Sequence, residues 1–191
     1  MTIESEKEES LAGKLVVAMP SMLDPRFART VIYLCAHTED AAMGLVVNRL
    51  IGSITFPDLL EQLKIDNPQP DDSIKVHFGG PVESGRGFVL HSTDYQQDGT
   101  LRVSPDVALT ATVDILRDMA SGQGPRRSLL ALGYAGWGRG QLDAEIQSNS
   151  WLLVDPDEEL VFDQDLEGKW ERAIAKLGID VSMLSGEAGH A

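Results

Sequence analysis

Cysteine is almost missing from this sequence. Cys35 stands alone among 191 residues, so no internal disulfide forms, and the expectation is a fold that never relied on oxidation and suits a reducing compartment. Basic residues are scarce as well: 16 Lys and Arg against 30 Asp and Glu leave a net charge of -14 and an isoelectric point near 4.5. Nucleic-acid binding draws much of its affinity from cations that neutralise phosphates, so this balance weighs against direct contact with DNA or RNA, a local basic patch excepted. No hydrophobic run approaches the ~20 residues that span a bilayer, so no membrane partner is expected. The first residues carry Glu4, Glu6, Glu8 and Glu9, with Lys7 the only base before Lys14. A secretory signal needs a positive start and an apolar stretch, and a transit peptide avoids acids; the expected address is the cytoplasm.

What is present is an ordinary globular composition, 42% hydrophobic with a mean hydropathy of -0.11. No repeat of fixed period and no internal linker divides the chain, and its length fits one domain of ~100–200 residues. The expected layout is a disordered acidic tail over 1–10, one domain over 11–184 and a flexible tail over 185–191. Such a domain buries roughly 70% of its unfolded surface, enough to need neither disulfide nor metal.

Short β-branched runs predict strands over 15–19, 30–35 and 44–47, with Pro20 and Pro25 bounding an ordered loop. Thr55 and Asp58 form a capping box ahead of Leu59, Leu60 and Leu63, which predicts a short helix there. A Pro- and Asp-rich loop follows over 67–72. Strands are expected over 74–78 and 87–91, separated by a glycine-laden turn, with a weaker one over 101–103 after Asp98-Gly99. A helix is predicted over 105–120, capped by Ser104, with Leu109, Val113, Leu116 and Ala120 as its apolar stripe and Ile115 and Met119 beside it. A strand over 128–132, a glycine-rich loop and a short helix carrying Leu142 and Ile146 come next. Strands over 151–154 and 160–162 lead to a last helix with Leu166, Trp170, Ile174 and Leu177, ended by Gly178. Strands arrive in groups rather than in strict alternation with helices, which predicts an α+β fold with a mixed or antiparallel sheet and flanking helices.

Two glycine clusters are the least ordinary features. Gly133-Tyr134-Ala135-Gly136-Trp137-Gly138-Arg139-Gly140-Gln141 lies between a predicted strand and a predicted helix. Glycines there either bring backbone amides close to an anion or serve a tight turn around Trp137; the lysine of a P-loop and the GxGxxG spacing are both absent. Phe78-Gly79-Gly80-Pro81-Val82 and the following Ser84-Gly85-Arg86-Gly87 read either as a sharp structural turn or as half of a groove. If the two clusters converge, Gly79, Gly80, Pro81, Arg86, Gly136, Trp137, Gly138 and Arg139 line that groove, with the two arginines placed to meet an acidic partner.

Other candidates carry less. Cys35 and His37 share a strand face, which permits a metal pair, but burial of the thiol as a small apolar group is the favoured account, and no CxxC or HExxH accompanies it. His77 and His91 lie on neighbouring predicted strands and permit a cross-strand pair; His190 falls in the tail. No GxSxG elbow is present. The acids from Asp155 to Glu159, with Asp163, Asp165 and Glu167, do not form an EF-hand loop, whose sixth residue must be glycine and here is Leu160. They read as a solvated acidic edge. No metal or cofactor is expected.

The segments Met19-Pro20-Ser21-Met22-Leu23-Asp24-Pro25-Arg26-Phe27, Gly44-Leu45-Val46-Val47-Asn48-Arg49, Phe78-Gly79-Gly80-Pro81-Val82 and Gly133-Tyr134-Ala135-Gly136-Trp137-Gly138, with Asn149-Ser150-Trp151, resemble the successive signatures of the YqgE/AlgH family. They occur in that family's order from Leu11 to Leu177. The resemblance implies a compact α+β fold whose sheet bends into a pseudo-barrel, and it implies no established activity and no catalytic residues. Some members are labelled transcriptional regulators through effects on exopolysaccharide production; nothing here resembles a helix-turn-helix. Arg139 departs from the family's pattern, which has a proline or small residue there.

The resulting expectation leans away from an enzyme, toward a binding or regulatory module that engages a protein partner through the groove. Its rival is an enzyme or carrier for a small anionic metabolite, with Arg86 and Arg139 as anion contacts and His77 or His91 as base. Direct transcriptional control ranks behind both.

Overall fold

A computed structural model describes residues 10–66 and 73–179. The tails expected at 1–10 and 185–191, Ser10 apart, and the loop expected at 67–72 lie outside the described residues, as does His190. Along the chain come strands β1 (Leu15–Ala18), β2 (Val31–His37) and β3 (Ala42–Val46), then helix α1 (Phe56–Gln62). Strands β4 (Val76–Phe78), β5 (Val82–Ser92), β6 (Leu101–Arg102) and β7 (Val107–Thr110) precede helix α2 (Val113–Ala120). The chain continues through β8 (Ser128–Trp137), α3 (Gln141–Gln147), β9 (Trp151–Val154), α4 (Glu158–Phe162) and α5 (Lys169–Ala175).

The strands join in the order β6-β7-β5-β8-β3-β2-β1-β9, antiparallel throughout, and β4 adds a parallel pairing to β8. Burial of both sheet faces explains why the runs are apolar at every position rather than at every second one. Leu15, Val17, Val31, Tyr33 and Leu45 face one core, where they meet Phe88, Leu90, Leu109 and Leu129 from the far half of the sheet. Strands distant in the order share one cluster only if the sheet curls, and the result is an α+β half-barrel. Leu160, Val161, Trp170 and Ile174 of α4 and α5 are packed into that same core. The outward residues split in two: Val89, Leu130 and Leu132 pack under α1 and α2, while Val16, Ile32, Leu34, Ala135 and Trp137 pack with Leu142 of α3.

Helix α1 starts as its sequence dictates. Thr55 Oγ1 accepts from the Asp58 amide at 3.2 Å, and the Asp58 carboxylate accepts from the Thr55 amide at 3.0 Å. Thr55→Ala is expected to lower the unfolding free energy by about 1 kcal/mol with an unchanged urea m-value.

Three expected elements differ. The helix predicted over 105–120 is a strand followed by a shorter helix. All four residues of β7 are buried between β5 and β6, and Ser104 Oγ instead accepts from the Val107 amide at 3.1 Å in the turn before the strand. Helix α2 begins after Thr112 and buries Ile115, Leu116, Met119 and Ala120, leaving Val113 40% exposed. The strand expected over 160–162 is part of α4, nucleated by the Asp157 carboxylate, which accepts from the Leu160 amide at 2.7 Å; so short an apolar run suits either periodicity. The glycine-rich loop expected at 133–138 is mostly strand, since β8 runs on to Trp137. Likewise β5 begins at Val82, with an irregularity between Val82 and Gly87, so the turn before it is confined to 79–81.

Candidate functional site

The two glycine clusters do converge, but they leave no groove between them. Gly79 donates its amide to the Leu132 carbonyl at 2.8 Å and accepts from the Val46 amide at 2.8 Å, which wedges the segment between β3 and β8. A Cβ on Gly79 would lie 2.3 Å from the Gly133 carbonyl oxygen, and one on Gly80 would lie 2.0 Å from the Tyr134 carbonyl carbon. Gly133, at φ +76°, would in turn meet the Gly80 oxygen at 2.3 Å. Main chain lies directly on main chain, and both Gly79 and Gly80 are buried. The expected groove floor is therefore a packing contact.

A shallow concavity of about 440 Å³ lies beside that contact and draws in only part of the expected set. Arg86, Gly136 and Trp137 line it, together with Met43, Val82 and Tyr134. Arg86 stacks over the Phe88 ring with its guanidinium 5.0 Å from the centroid and approaches Glu83 at 3.6 Å. Tyr134 meets Phe88 edge-on at 5.8 Å. Gly138 and Arg139 belong instead to the turn before α3, where the Gly138 amide donates to Gln141 Oε1 at 2.9 Å. Arg139 does not line the concavity, so the two arginines are not paired around one ligand. The Trp137 indole is tied down from the other side: its N–H and that of Trp151 both donate to Glu145 Oε1, at 3.2 and 3.0 Å.

Strand β8 also carries an unusual edge. Over residues 130–132 it is paired on both sides, with β5 on one edge and β4 on the other. Over 135–137, β3 continues the β4 side, while pairing on the β5 side ends at Val82 opposite Tyr134. Among the described residues no strand covers that edge of 135–137. Gly136 is exposed there, and a Cβ on it would meet only Tyr134 and Val82 side-chain atoms, at 3.4 Å and beyond.

The histidines do not form the expected pair, because β8 separates β4 from β5. His77 Nδ1 lies 3.0 Å from the Leu130 carbonyl, and burial pulls its pKa down to about 4 against that hydrogen bond, with Lys169 adding to the fall. A neutral ring must then donate from Nδ1. His91 is likewise lowered by burial; Nδ1 donates to the Ser92 carbonyl at 2.9 Å, which leaves Nε2 to accept from the Thr110 hydroxyl at 2.8 Å. Both rings are neutral struts rather than exposed bases. Cys35 and His37 also part company: the β2–β3 register shifts between Leu34 and Ala36, Cys35 sits in the core with its thiol pKa raised by burial, and His37 Nδ1 accepts from the Leu11 amide at 3.0 Å. Among the described residues no group of three or more His, Cys, Asp or Glu stands together as a metal site.

The comparisons with known proteins agree with one another. A model of the AlgH-like family matches residues 15–182. The chain belongs to that family. It is 55% identical over 190 residues to a UPF0301 protein of Rhodospirillum rubrum, covering 100% of this chain and 99% of that one. A UPF0301 protein of Rhodopseudomonas palustris is 57% identical over 194 residues, covering 97% and 89%. The solution structure of the AlgH protein from Pseudomonas aeruginosa superimposes with a TM-score of 0.78 at 43% identity, covering 97% of this chain and 98% of that one. A crystal structure of a Corynebacterium diphtheriae protein shares the fold at a TM-score of 0.75 and 19% identity, covering 94% and 93%.

In this AlgH-like chain the segments that resemble the YqgE/AlgH signatures act as mutual staples. Asn48 accepts from the Val31 amide and donates to the Arg29 carbonyl, both at 2.9 Å. Arg49 donates to the carbonyls of Arg26 and Ala28 at 2.6 and 2.7 Å, so the second segment fastens the loop that the first one forms. The third and fourth segments supply the glycine-on-glycine contact at β8. Several of the acids after β9 are also paired: Asp155 with Lys14, Asp157 with Lys176 at 3.0 Å, Glu158 with Arg126 at 2.6 Å and Asp163 with Arg172 at 2.7 Å.

One residue had no signal in the sequence. Lys169 is fully buried, and its ammonium donates to the carbonyls of Val47 and Val161, both at 3.0 Å. Its place three residues after Leu166 is the nearest thing to a sign that it faces inward.

Proposed function

We propose that this AlgH-like protein is a non-enzymatic binding module that captures an extended segment of a protein partner on the open edge of β8. The observation that carries this reading is the stretch of β8 at 135–137 that no described strand pairs on its β5 side, exposed at Gly136 between the buried Ala135 and Trp137, and bordered by the concavity that Met43, Val82, Arg86 and Tyr134 line. A strand added there gains main-chain hydrogen bonds along its length, while the hollow takes alternate side chains. Arg86 is exposed and favours an acidic residue in the partner. Gly136 keeps the edge unobstructed, and Trp137, braced through Glu145, keeps it straight.

The test uses an extended peptide selected by the purified protein from a random display library. Binding should slow amide exchange at residues 135–137. Gly136→Val should weaken it by about tenfold or more, roughly 1.4 kcal/mol, because the added side chain fills the hollow beside Tyr134 and Val82 that takes the peptide's side chains. The same substitution should leave the fold intact, since the Cβ makes only ordinary contacts. Selected peptides that protect other residues, or that bind the variant equally well, would remove the support for this reading.

A further inference from the structure

A second cavity, of about 540 Å³, lies between the end of α2, β4, the start of β8 and the α4–α5 connection, and shares no lining residue with the concavity beside Gly136. In a chain of net charge -14 its lining is cationic. Lys75, Arg126 and Arg127 reach it, with His77 at its wall, and no carboxylate is among the described residues that line it. Met119, Leu130 and Phe162 supply an apolar wall. A cavity of this size holds a molecule of several rings or an equivalent chain, since small-molecule sites run ~300–1,000 Å³.

The main chain that carries the two arginines is anchored. The Arg126 amide donates to Asp94 Oδ2 at 2.9 Å, the Arg127 amide to Ser92 Oγ at 2.9 Å, and the Arg127 carbonyl accepts from the Ser92 amide at 3.0 Å. Behind the wall sits the buried ammonium of Lys169, bonded to the carbonyl of Val161 next to Phe162 and near enough to His77 to depress its pKa. Asp94 holds the Arg126 main chain, and the one carboxylate in ion-pair contact with the two guanidinia among the described residues is Glu158, 2.6 Å from Arg126 and 3.6 Å from Arg127, outside the cavity lining. Glu158 thus occupies, from the rim, guanidinium donors that an anion inside the cavity would use. Lys75 has no carboxylate partner among the described residues.

We infer that this cavity binds a small organic anion, a phosphate or carboxylate carried on an apolar body. The charged group lies against Lys75 and Arg127, and the body lies on Met119, Leu130 and Phe162. Displacing Glu158 from the arginines accompanies binding. The site is separate from the β8 edge and does not depend on it.

The experiment titrates the full chain with 1-naphthyl phosphate and follows backbone amides by NMR. Shifts are expected at 74–77, 126–130 and 162–166, not at 135–137, which keeps this result apart from the peptide test. Inorganic phosphate, which lacks the body, and 1-naphthol, which lacks the charge, should each bind about tenfold or more weakly. 1-Naphthoate run beside the phosphate decides which headgroup is preferred. Lys75→Gln with Arg127→Gln should weaken 1-naphthyl phosphate by about tenfold or more. Those changes spare the fold, because Arg127 is anchored through its main chain. Glu158→Gln should tighten binding by roughly threefold or more by releasing both guanidinia. No shifts at about 5 mM, shifts centred elsewhere, or an affinity unmoved by both the double variant and Glu158→Gln would overturn the assignment.

Discussion

Gly80→Ala is expected to prevent the chain from reaching its native packing. The new methyl would lie 2.0 Å from the Tyr134 carbonyl carbon, 2.2 Å from its oxygen and 2.3 Å from the Ala135 nitrogen. These are backbone atoms of the central strand, so no side-chain rotation relieves the overlap. Relief requires β8 to move, and at this point β8 is paired with β5 through Tyr134 and Val82 and with β3 through Ala135 and Gly44. Displacing it disturbs the registers that join the two halves of the sheet. The loss should exceed about 4 kcal/mol, against a total stability of ~5–15 kcal/mol for a domain of this kind. Urea unfolding and near-ultraviolet circular dichroism check it. The expected picture is a protein without a fixed tertiary signal, or one whose midpoint has fallen to a small fraction of the parent's. Gly136→Ala, on β8 itself but with a Cβ in ordinary contact with the Tyr134 and Val82 side chains, should by contrast change stability by about 1 kcal/mol or less. A Gly80→Ala protein that unfolds with the parent would mean that the 79–81 segment does not lie on β8 as described.

That contrast also marks where the sequence was informative. Thr55 and Asp58 announced α1 because a capping box is local, complete within four residues. Strands β1 and β2 were legible because both of their faces are buried, which makes their apolar runs unbroken. Strand grouping pointed to the α+β class, and the family resemblance supplied the curl, which grouping alone left open. The segment 105–120 misled because Leu109 of β7 falls by coincidence at helical spacing from Val113 and Leu116 of α2; only the pairing of β7 with β5 and β6 decides against a single helix. The glycines misled for a deeper reason. A glycine that admits a ligand and one that admits a neighbouring backbone look the same in one dimension, and Gly79, Gly80 and Gly133 are of the second kind while Gly136 is open to solvent. Arg86 and Arg139 were paired on the strength of two loops meeting; the loops meet, and the arginines project from different ends of the contact. Arg126 and Arg127 escaped notice because their importance lies in a hollow formed by α2, β4 and the α4–α5 connection, segments far apart in the chain.

Lys169 yields the other large effect, and its sign is specific. Burial lowers its pKa from 10.5 to about 8, with Asp163 acting against that fall. The unfolded chain therefore holds this proton to higher pH than the folded one. Between pH 8 and 10.5 the unfolded state binds more protons, so stability attributable to Lys169 rises with pH through that window, and below pH 8 the burden of the buried ammonium is fully in force. At about 1.4 kcal/mol per pH unit of displacement, that burden is about 3 kcal/mol. Deprotonation need not break the local bonds, because a neutral amine retains two hydrogens, one each for the Val47 and Val161 carbonyls. The raw profile hides this gain. Tyr33 is pushed up to about 12 by burial and Tyr95 is raised by burial and by Asp118, and both take stability away as pH passes through the range where the unfolded phenols ionise. Comparison with Lys169→Met removes that background, since the variant keeps both tyrosines. Relative to Lys169→Met, the parent protein should gain about 2 kcal/mol in urea unfolding between about pH 7 and pH 9.5. A constant difference across that range would mean that the ammonium is not desolvated, and the buried cation behind the anion cavity would be lost with it.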